Sequence, residues 1–142
     1  MSNTIFLPTQ AHTEALGACV AQACPDGALI FLRGHLGAGK TTFSRGVVHA
    51  LGYTGAVKSP TYTLCDEYET EDILFLHVDL YRLSDSSEIQ ILDLDRPSEK
   101  IKVIIIEWPE IIGDSRSFDL KVSLSYRDQG REALLENKLI NK

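Results

Sequence analysis

The segment GHLGAGKTT, from Gly34 to Thr42, constrains the fold more than any other part of the chain. It fits the pattern G-x4-G-K-[ST], in which residues without a Cβ let successive backbone N–H groups curl around phosphate oxygens. The N-terminus of the helix that follows adds partial positive charge beneath those oxygens. The pattern therefore predicts a strand, a phosphate-binding loop and a helix, in that order.

The segments on both sides of the loop have the composition that this pattern requires. ALIFLR, from Ala28 to Arg33, is continuously apolar, as expected of a strand covered on both faces. After the loop, Phe43, Val47 and Val48 recur at helical spacing, and Gly52 stands where a helix C-terminus favours a left-handed residue. The loop should therefore join a buried strand to an amphipathic helix.

Within the loop, two side chains have tasks that the chemistry of a nucleotide defines. Lys40 is expected to reach the β and γ phosphates and to act in catalysis, and the Thr41 hydroxyl is expected to ligate Mg²⁺. The residues predicted to bind the nucleotide phosphates are Gly34, Gly37, Ala38, Gly39, Lys40, Thr41 and Thr42.

The rest of the chain predicts an α/β fold around this loop. A helix begins after Thr9, two apolar runs cover Ile73 to Asp79 and Lys102 to Glu107, and a helix is predicted over 86–94. Residues 118–126 alternate apolar and polar before the turn RDQG, which predicts a closing antiparallel hairpin. We expect a three-layer fold like that of P-loop NTPases, with a mixed, mainly parallel central sheet and added antiparallel strands.

Two carboxylates end the two apolar runs. In an open parallel sheet ligands bind beyond the carboxyl ends of the strands, so Asp79 and Glu107 should face the phosphate loop. Glu107 has the Walker B position and is expected to hold the metal directly or through water. Asp79 is expected to be a second group near the metal or the base that positions water. The plain alternative is a cap of the next turn for Glu107 and a strand-end cap for Asp79. Trp108 suits either the rim of a site or the core.

The segment SPTYT carries a possible switch. Ser59, Thr61 and Thr63 follow a loop rich in small residues, and they suit a segment that senses a γ-phosphate. The alternative is that Tyr62 and Leu64 begin a strand and that the threonines merely favour it.

Length and composition predict one folded domain over residues 1–142. Apolar residues make up 44% of the chain and charged residues 24%, as in ordinary globular domains. The net charge of −6 argues against a broad basic face that grips nucleic acid, so we expect no DNA partner and contact with a polynucleotide only through another protein. The three cysteines lack metal-ligand spacing, and no stretch has a targeting or membrane-spanning pattern, so a cytoplasmic protein without a membrane partner is expected.

Four motifs in this order, GHLGAGKTT, VKSPTYTL, HVDLYRL and IIEWPE, resemble the bacterial TsaE (YjeE) family of tRNA threonylcarbamoyladenosine biosynthesis. The resemblance implies an ATPase that assists the TsaB and TsaD proteins, which place a threonylcarbamoyl group on a tRNA adenosine, so tRNA would be met through that complex. It implies ATP and Mg²⁺ as ligands. The implied roles are phosphate binding for Gly37 to Thr41, Mg²⁺ binding for Thr41 and Glu107, hydrolysis for Asp79, a switch at Thr61 and Thr63, and contact with the base or ribose for Arg131.

Three other functions fit parts of the sequence. A GTPase-type switch would share the phosphate loop and the threonines, but the guanine-reading pattern N-K-x-D is missing. A small-molecule kinase usually has an arginine-bearing lid, and Arg96 is the sole arginine of the spare segment 84–100. A domain that binds ATP chiefly to set the conformation of a partner overlaps the favoured function. The phosphate loop has no arginine to stabilise the transition state, so we expect weak ATPase activity that partner proteins stimulate.

Overall fold

A mixed β-sheet forms the framework of the molecule. The computed structural model describes residues 2–35, 37–57, 65–82, 94, 97–109 and 118–137. Its strands are β1 (Ser2–Leu7), β2 (Ala28–Arg33), β3 (Cys65–Glu69), β4 (Ile73–Asp79), β5 (Ile101–Glu107), β6 (Leu120–Arg127) and β7 (Gly130–Asn137), and its helices are α1 (Gln10–Gln22) and α2 (Lys40–Ala50) with a short 3-10 turn at Leu80–Arg82.

The strand order is β1-β7-β6-β2-β5-β4-β3. The four inner strands β6, β2, β5 and β4 are parallel to one another, whereas β1, β7 and β3 join antiparallel. This confirms the predicted mixed sheet with a mainly parallel centre. The strand before the loop, β2, buries Ile30 and Leu32 on one face of the sheet and Phe31 on the other, which explains why it is apolar from Ala28 to Leu32. The edge strand β1 was not predicted, because its short apolar run gives little local signal.

Both helices pack against one face of the sheet. The predicted helix start is confirmed, because the Thr9 hydroxyl accepts a hydrogen bond from the His12 backbone N–H. Where α1 crosses α2, a Cβ on Gly17 would meet the carbonyl of Phe43, and one on Gly46 would meet the carbonyl of Glu14. This close approach fixes α2 and therefore the loop that leads into it.

Each face of the sheet has its own apolar cluster. The helix-covered face packs Ile30, Ile105 and Phe43 into the larger cluster, and the opposite face buries Phe31 and Leu94 in a smaller one. The helix predicted over 86–94, which would form the third layer, lies outside the described residues except for Leu94. In the part of the chain that the structure describes, neither helix is long and apolar enough to cross a membrane.

Candidate functional site

The loop between β2 and α2 has the backbone that its glycines predict. Gly37 and Gly39 adopt φ values of 82° and 104°, in the left-handed region that favours glycine. Gly39 is the N-cap of α2, so Lys40, Thr41 and Thr42 form the first turn of the helix. Gly39 offers no side-chain cap, so the backbone N–H groups of that turn, which have no partner within the helix, are available for an anion.

A cavity of about 780 Å³ lies beside this loop at the carboxyl ends of β4 and β5. Its lining includes most of the predicted site residues, whereas Gly34 and Ala38 belong to the loop but do not line it; Ala38 is packed in the core. Ser59, Thr61 and Thr63 lie outside the described residues. The lining residues are Leu7, Pro8, Thr9, Gln10, Thr13, Gly37, Gly39, Lys40, Thr41, Thr42, Asp79, Tyr81, Glu107, Trp108, Gln129, Gly130 and Arg131.

Glu107 is the centre of a buried charged group. Its Oε1 lies 3.5 Å from the Lys40 Nζ, and its Oε2 lies 2.5 Å from the Nε2 of His77. Burial by itself would raise the pKa of Glu107, but the hydrogen bond and charge of His77, together with Lys40, outweigh it and hold the pKa below the ordinary value. The Glu107 carboxylate is therefore kept ionised.

Asp79 lies directly beside Glu107, because the two residues are paired in register between β4 and β5. Its Oδ1 accepts a hydrogen bond of 2.9 Å from the Tyr81 backbone N–H. Burial raises the pKa of Asp79, and the neighbouring Glu107 adds to that rise, against the opposing effects of the Tyr81 hydrogen bond and Lys40. Two adjacent acids thus have pKa values shifted in opposite directions, a common property of sites that transfer protons.

Sequence reasoning missed His77. It stands two residues before Asp79 in the same strand, and side chains at that spacing point to the same face of a sheet. The alternation of the strand could therefore have placed it beside the two acids.

Trp108 forms one rim of the cavity. Its ring centroid lies 4.5 Å from the Lys40 Nζ and 4.9 Å from the ring centroid of Tyr81, whose side chain is exposed. Trp108 also packs against the smaller apolar cluster. The indole of Trp108 therefore lies at the rim of the cavity and also contacts the core, so each of the two alternatives holds in part.

The far wall of the cavity comes from the antiparallel strands. Leu7 of β1 pairs with Arg131 of β7, and this pairing brings the segment from Leu7 to Gln10 to the cavity. The Arg131 guanidinium donates a 2.9 Å hydrogen bond to the Gly37 carbonyl and stacks 4.1 Å from the ring centroid of Tyr126. Arg131 therefore lines the cavity and also contacts the phosphate loop.

A sequence model of the family described as "Threonylcarbamoyl adenosine biosynthesis protein TsaE" matches residues 7–134. The chain belongs to the TsaE family. This confirms the resemblance seen in the four motifs, which carry most of the residues around the cavity.

Individual TsaE proteins and one solved structure agree with this. A tRNA threonylcarbamoyladenosine biosynthesis protein TsaE from Haemophilus influenzae is 39% identical over 104 residues, which span 72% of this chain and 66% of that protein. The TsaE protein of a Nostoc species is 38% identical over 130 residues, spanning 89% of this chain and 80% of that protein. The crystal structure of Bacillus subtilis YdiB superposes with a TM-score of 0.75 at 25% identity, covering 96% of this chain and 86% of that one.

Proposed function

We propose that this chain binds ATP with Mg²⁺, hydrolyses it slowly, and acts with TsaB and TsaD in the threonylcarbamoyladenosine modification of tRNA. One observation carries the nucleotide part of this proposal: Lys40, Asp79 and Glu107 meet at one cavity beside a glycine-rich loop. The role in tRNA modification and the two partners are proposed from membership of the TsaE family.

The phosphate-binding roles follow from the loop and the first turn of α2. The backbone N–H groups from Gly37 to Thr41 would bind the phosphate oxygens, and Lys40 would exchange its contact with Glu107 for the β and γ phosphates. Thr42 lines the same cavity and holds Gln10 through a 3.3 Å hydrogen bond to its hydroxyl. Gln10 is thereby kept at the cavity, beside the first turn of α2.

The oxygen donors at the cavity suit Mg²⁺. The ionised Glu107 and the Thr41 hydroxyl are hard ligands, and magnesium sites at nucleotides usually need only one or two carboxylates besides phosphate oxygens and waters. Thr41 and Glu107 would hold the ion, Glu107 directly or through water. When bound, the ion would neutralise charge that develops on the transferred phosphoryl group.

Asp79 is the residue proposed to act on the attacking water. Burial raises its pKa, so this carboxylate holds a proton more readily than an ordinary aspartate, which suits a group that orients or deprotonates water. The phosphate loop contains no arginine to stabilise the transition state, which supports a low rate in the isolated chain. Ser59, Thr61 and Thr63 remain proposed as the segment that senses the γ-phosphate.

The decisive experiment is reconstituted tRNA modification with TsaB, TsaD and ATP over several turnovers, with and without this chain. We expect the wild-type chain to be required for repeated turnover, and the Lys40→Ala variant to be inactive because the phosphates lose their lysine. Modification that proceeds equally well without the chain would contradict the proposed role. ATP hydrolysis that is fast in isolation and unchanged by the partners would contradict a stimulated ATPase, and GTP that competes as well as ATP would favour a GTPase.

A further inference from the structure

Within the apolar run of β4, a histidine occupies a position where an apolar side chain would be expected. His77 lies within the run ILFLHVD and is fully buried. The register of β4 and β5 pairs it with Ile105 and pairs Asp79 with Glu107, so these four side chains share the sheet face that α2 covers. A buried imidazole costs free energy unless a polar group compensates it, so its partner is informative.

That partner is Glu107. The Nε2 atom of His77 lies 2.5 Å from the Oε2 atom of Glu107, whereas the buried Nδ1 has no hydrogen-bond partner among the described residues. The ionised carboxylate can only accept, so the imidazole Nε2 donates. On the same face, the Phe75 ring lies 6.4 Å from the imidazole, centroid to centroid, and offers no polar atom. Asp66 of β3 is the residue paired in register with His77 on the other side of β4.

This contact fixes which oxygen of Glu107 is available to the cavity. With Oε2 held by His77, Oε1 is the atom left for Lys40, at 3.5 Å. Once phosphate oxygens engage Lys40, Oε1 is free for a cation or a water bound to it. Without the imidazole, the carboxylate could rotate and offer both oxygens to Lys40, in competition with the nucleotide.

We propose that His77 is a positioning residue of the nucleotide site, which holds one oxygen of Glu107 and thereby directs the other to Mg²⁺. The proposal rests on the proposed function, since it assumes that Mg²⁺ accompanies the nucleotide. It assigns a role to His77, the first residue of the motif HVDLYRL. The proposed roles of the phosphate loop and the two acids do not account for this residue.

The test measures ADP affinity by calorimetry with excess MgCl₂ and again with EDTA, and the ratio of the two affinities is the magnesium-dependent gain. His77→Leu removes the donor, and His77→Gln keeps an N–H close to the position of Nε2. We expect the gain to fall about tenfold in His77→Leu, as is typical when the partner of a metal ligand is lost, while the affinity in EDTA stays within about twofold. His77→Gln should retain most of the gain.

Val78→Ala is the matched control, because Val78 is equally buried in the same strand but faces the other side of the sheet. It should lower Tm and leave the magnesium-dependent gain unchanged. If His77→Leu does not fold, His77→Asn serves instead, since its amide is too short to reach Glu107.

The outcomes separate the two proposals. A folded His77→Leu or His77→Asn variant with the wild-type gain would overturn the positioning role, and so would a His77→Gln variant that loses as much as His77→Leu. A wild-type chain whose ADP affinity does not respond to MgCl₂ would instead overturn the magnesium part of the proposed function.

Discussion

The parallel centre of the sheet and the loop after β2 supply Lys40 and the two acids of the cavity, whereas the antiparallel strands β1 and β7 supply its far wall. Lys40, Asp79 and Glu107 stand at or just after the carboxyl ends of β2, β4 and β5. Leu7 and Arg131 reach the same cavity through strand pairing at the other side of the sheet. The difference is between residues placed by local strand ends and residues placed by long-range register.

The two regions touch at the phosphate loop. The Arg131 guanidinium donates to the Gly37 carbonyl, and the Tyr126 ring stacks on that guanidinium. We therefore expect substitutions in the parallel centre to remove phosphate and metal binding directly. Substitutions in the β6–β7 hairpin should weaken nucleotide binding by altering the conformation of the phosphate loop.

The largest effect is expected from Lys40→Ala in the centre. Loss of charge-assisted hydrogen bonds to two phosphates should weaken ATP binding by about 100-fold, measured by calorimetry. Lys121→Ala is the matched control, because Lys121 pairs with Glu136 at 3.9 Å and does not line the cavity. Near-wild-type binding by Lys40→Ala would show that the loop does not bind phosphate as proposed.

A smaller effect is expected where the two regions meet. Gly37 has a φ of 82°, and a Cβ there would lie 2.5 Å from the Tyr126 hydroxyl. Gly37→Ala should therefore weaken ATP binding by about tenfold, through backbone strain and displacement of the loop. In Gly37→Ala/Tyr126→Phe the clash is removed, since the nearest remaining ring atom is 3.9 Å away, and part of the affinity should return relative to Tyr126→Phe alone.

Gly52→Ala separates strain from contact. Gly52 has a φ of 103°, but a Cβ there would meet only Thr70 at 3.9 Å, and Gly52 does not line the cavity. It should lower Tm without changing ATP affinity. For the earlier pair, a Gly37→Ala/Tyr126→Phe variant that binds ATP no better than Gly37→Ala would mean that contact with Tyr126 does not limit the conformation of the phosphate loop.

The same division explains how much could be predicted from the sequence. The phosphate loop and the acids at the ends of two apolar runs are local patterns, and one rule about parallel sheets brings Asp79 and Glu107 to the loop. Leu7 and Gln10 had no such signal, because they reach the cavity only through the pairing of Leu7 with Arg131. The alternation of β4 places His77 on the same face as Asp79, but a histidine within an apolar run does not reveal which carboxylate it contacts.

Arg131→Met in the hairpin should have a smaller effect than either change in the loop. Loss of one hydrogen bond to the Gly37 carbonyl should weaken ATP binding by about threefold to tenfold. If Arg131 acts through the loop, inorganic tripolyphosphate should lose as much affinity as ATP. If tripolyphosphate binding is unchanged while ATP binding falls, Arg131 instead contacts the base or ribose. Arg127→Met, in the same hairpin but stacked over Phe6 at 5.2 Å, should change neither.

The smallest expected effect concerns the stability of the nucleotide-free protein. It distinguishes the two acids of the central strands, Asp79 and Glu107. Burial raises the pKa of Asp79 above its ordinary value of 3.8, so the folded state binds this proton more tightly than the unfolded state. The associated stability is fully present below pH 3.8 and is lost as pH rises through the folded pKa. Asp79→Asn removes the buried charge while an amide oxygen can still accept from Tyr81. We expect it to raise Tm at neutral pH by about 2 °C.

Glu107→Gln should shift stability in the opposite direction, although burial acts on both acids. His77 and Lys40 hold the pKa of Glu107 below its ordinary value of 4.5, so the stability from its ionisation is present above that value and is lost as pH falls through the folded pKa. The Tm of Glu107→Gln should lie below that of wild type at neutral pH, and this difference in Tm should become smaller at acidic pH. Thermal melts of Asp79→Asn and Glu107→Gln, recorded from neutral to acidic pH, test these two predictions. A lower Tm for Asp79→Asn at neutral pH would mean that the Asp79 charge is stabilised in the free protein, and the two acids would then share one role.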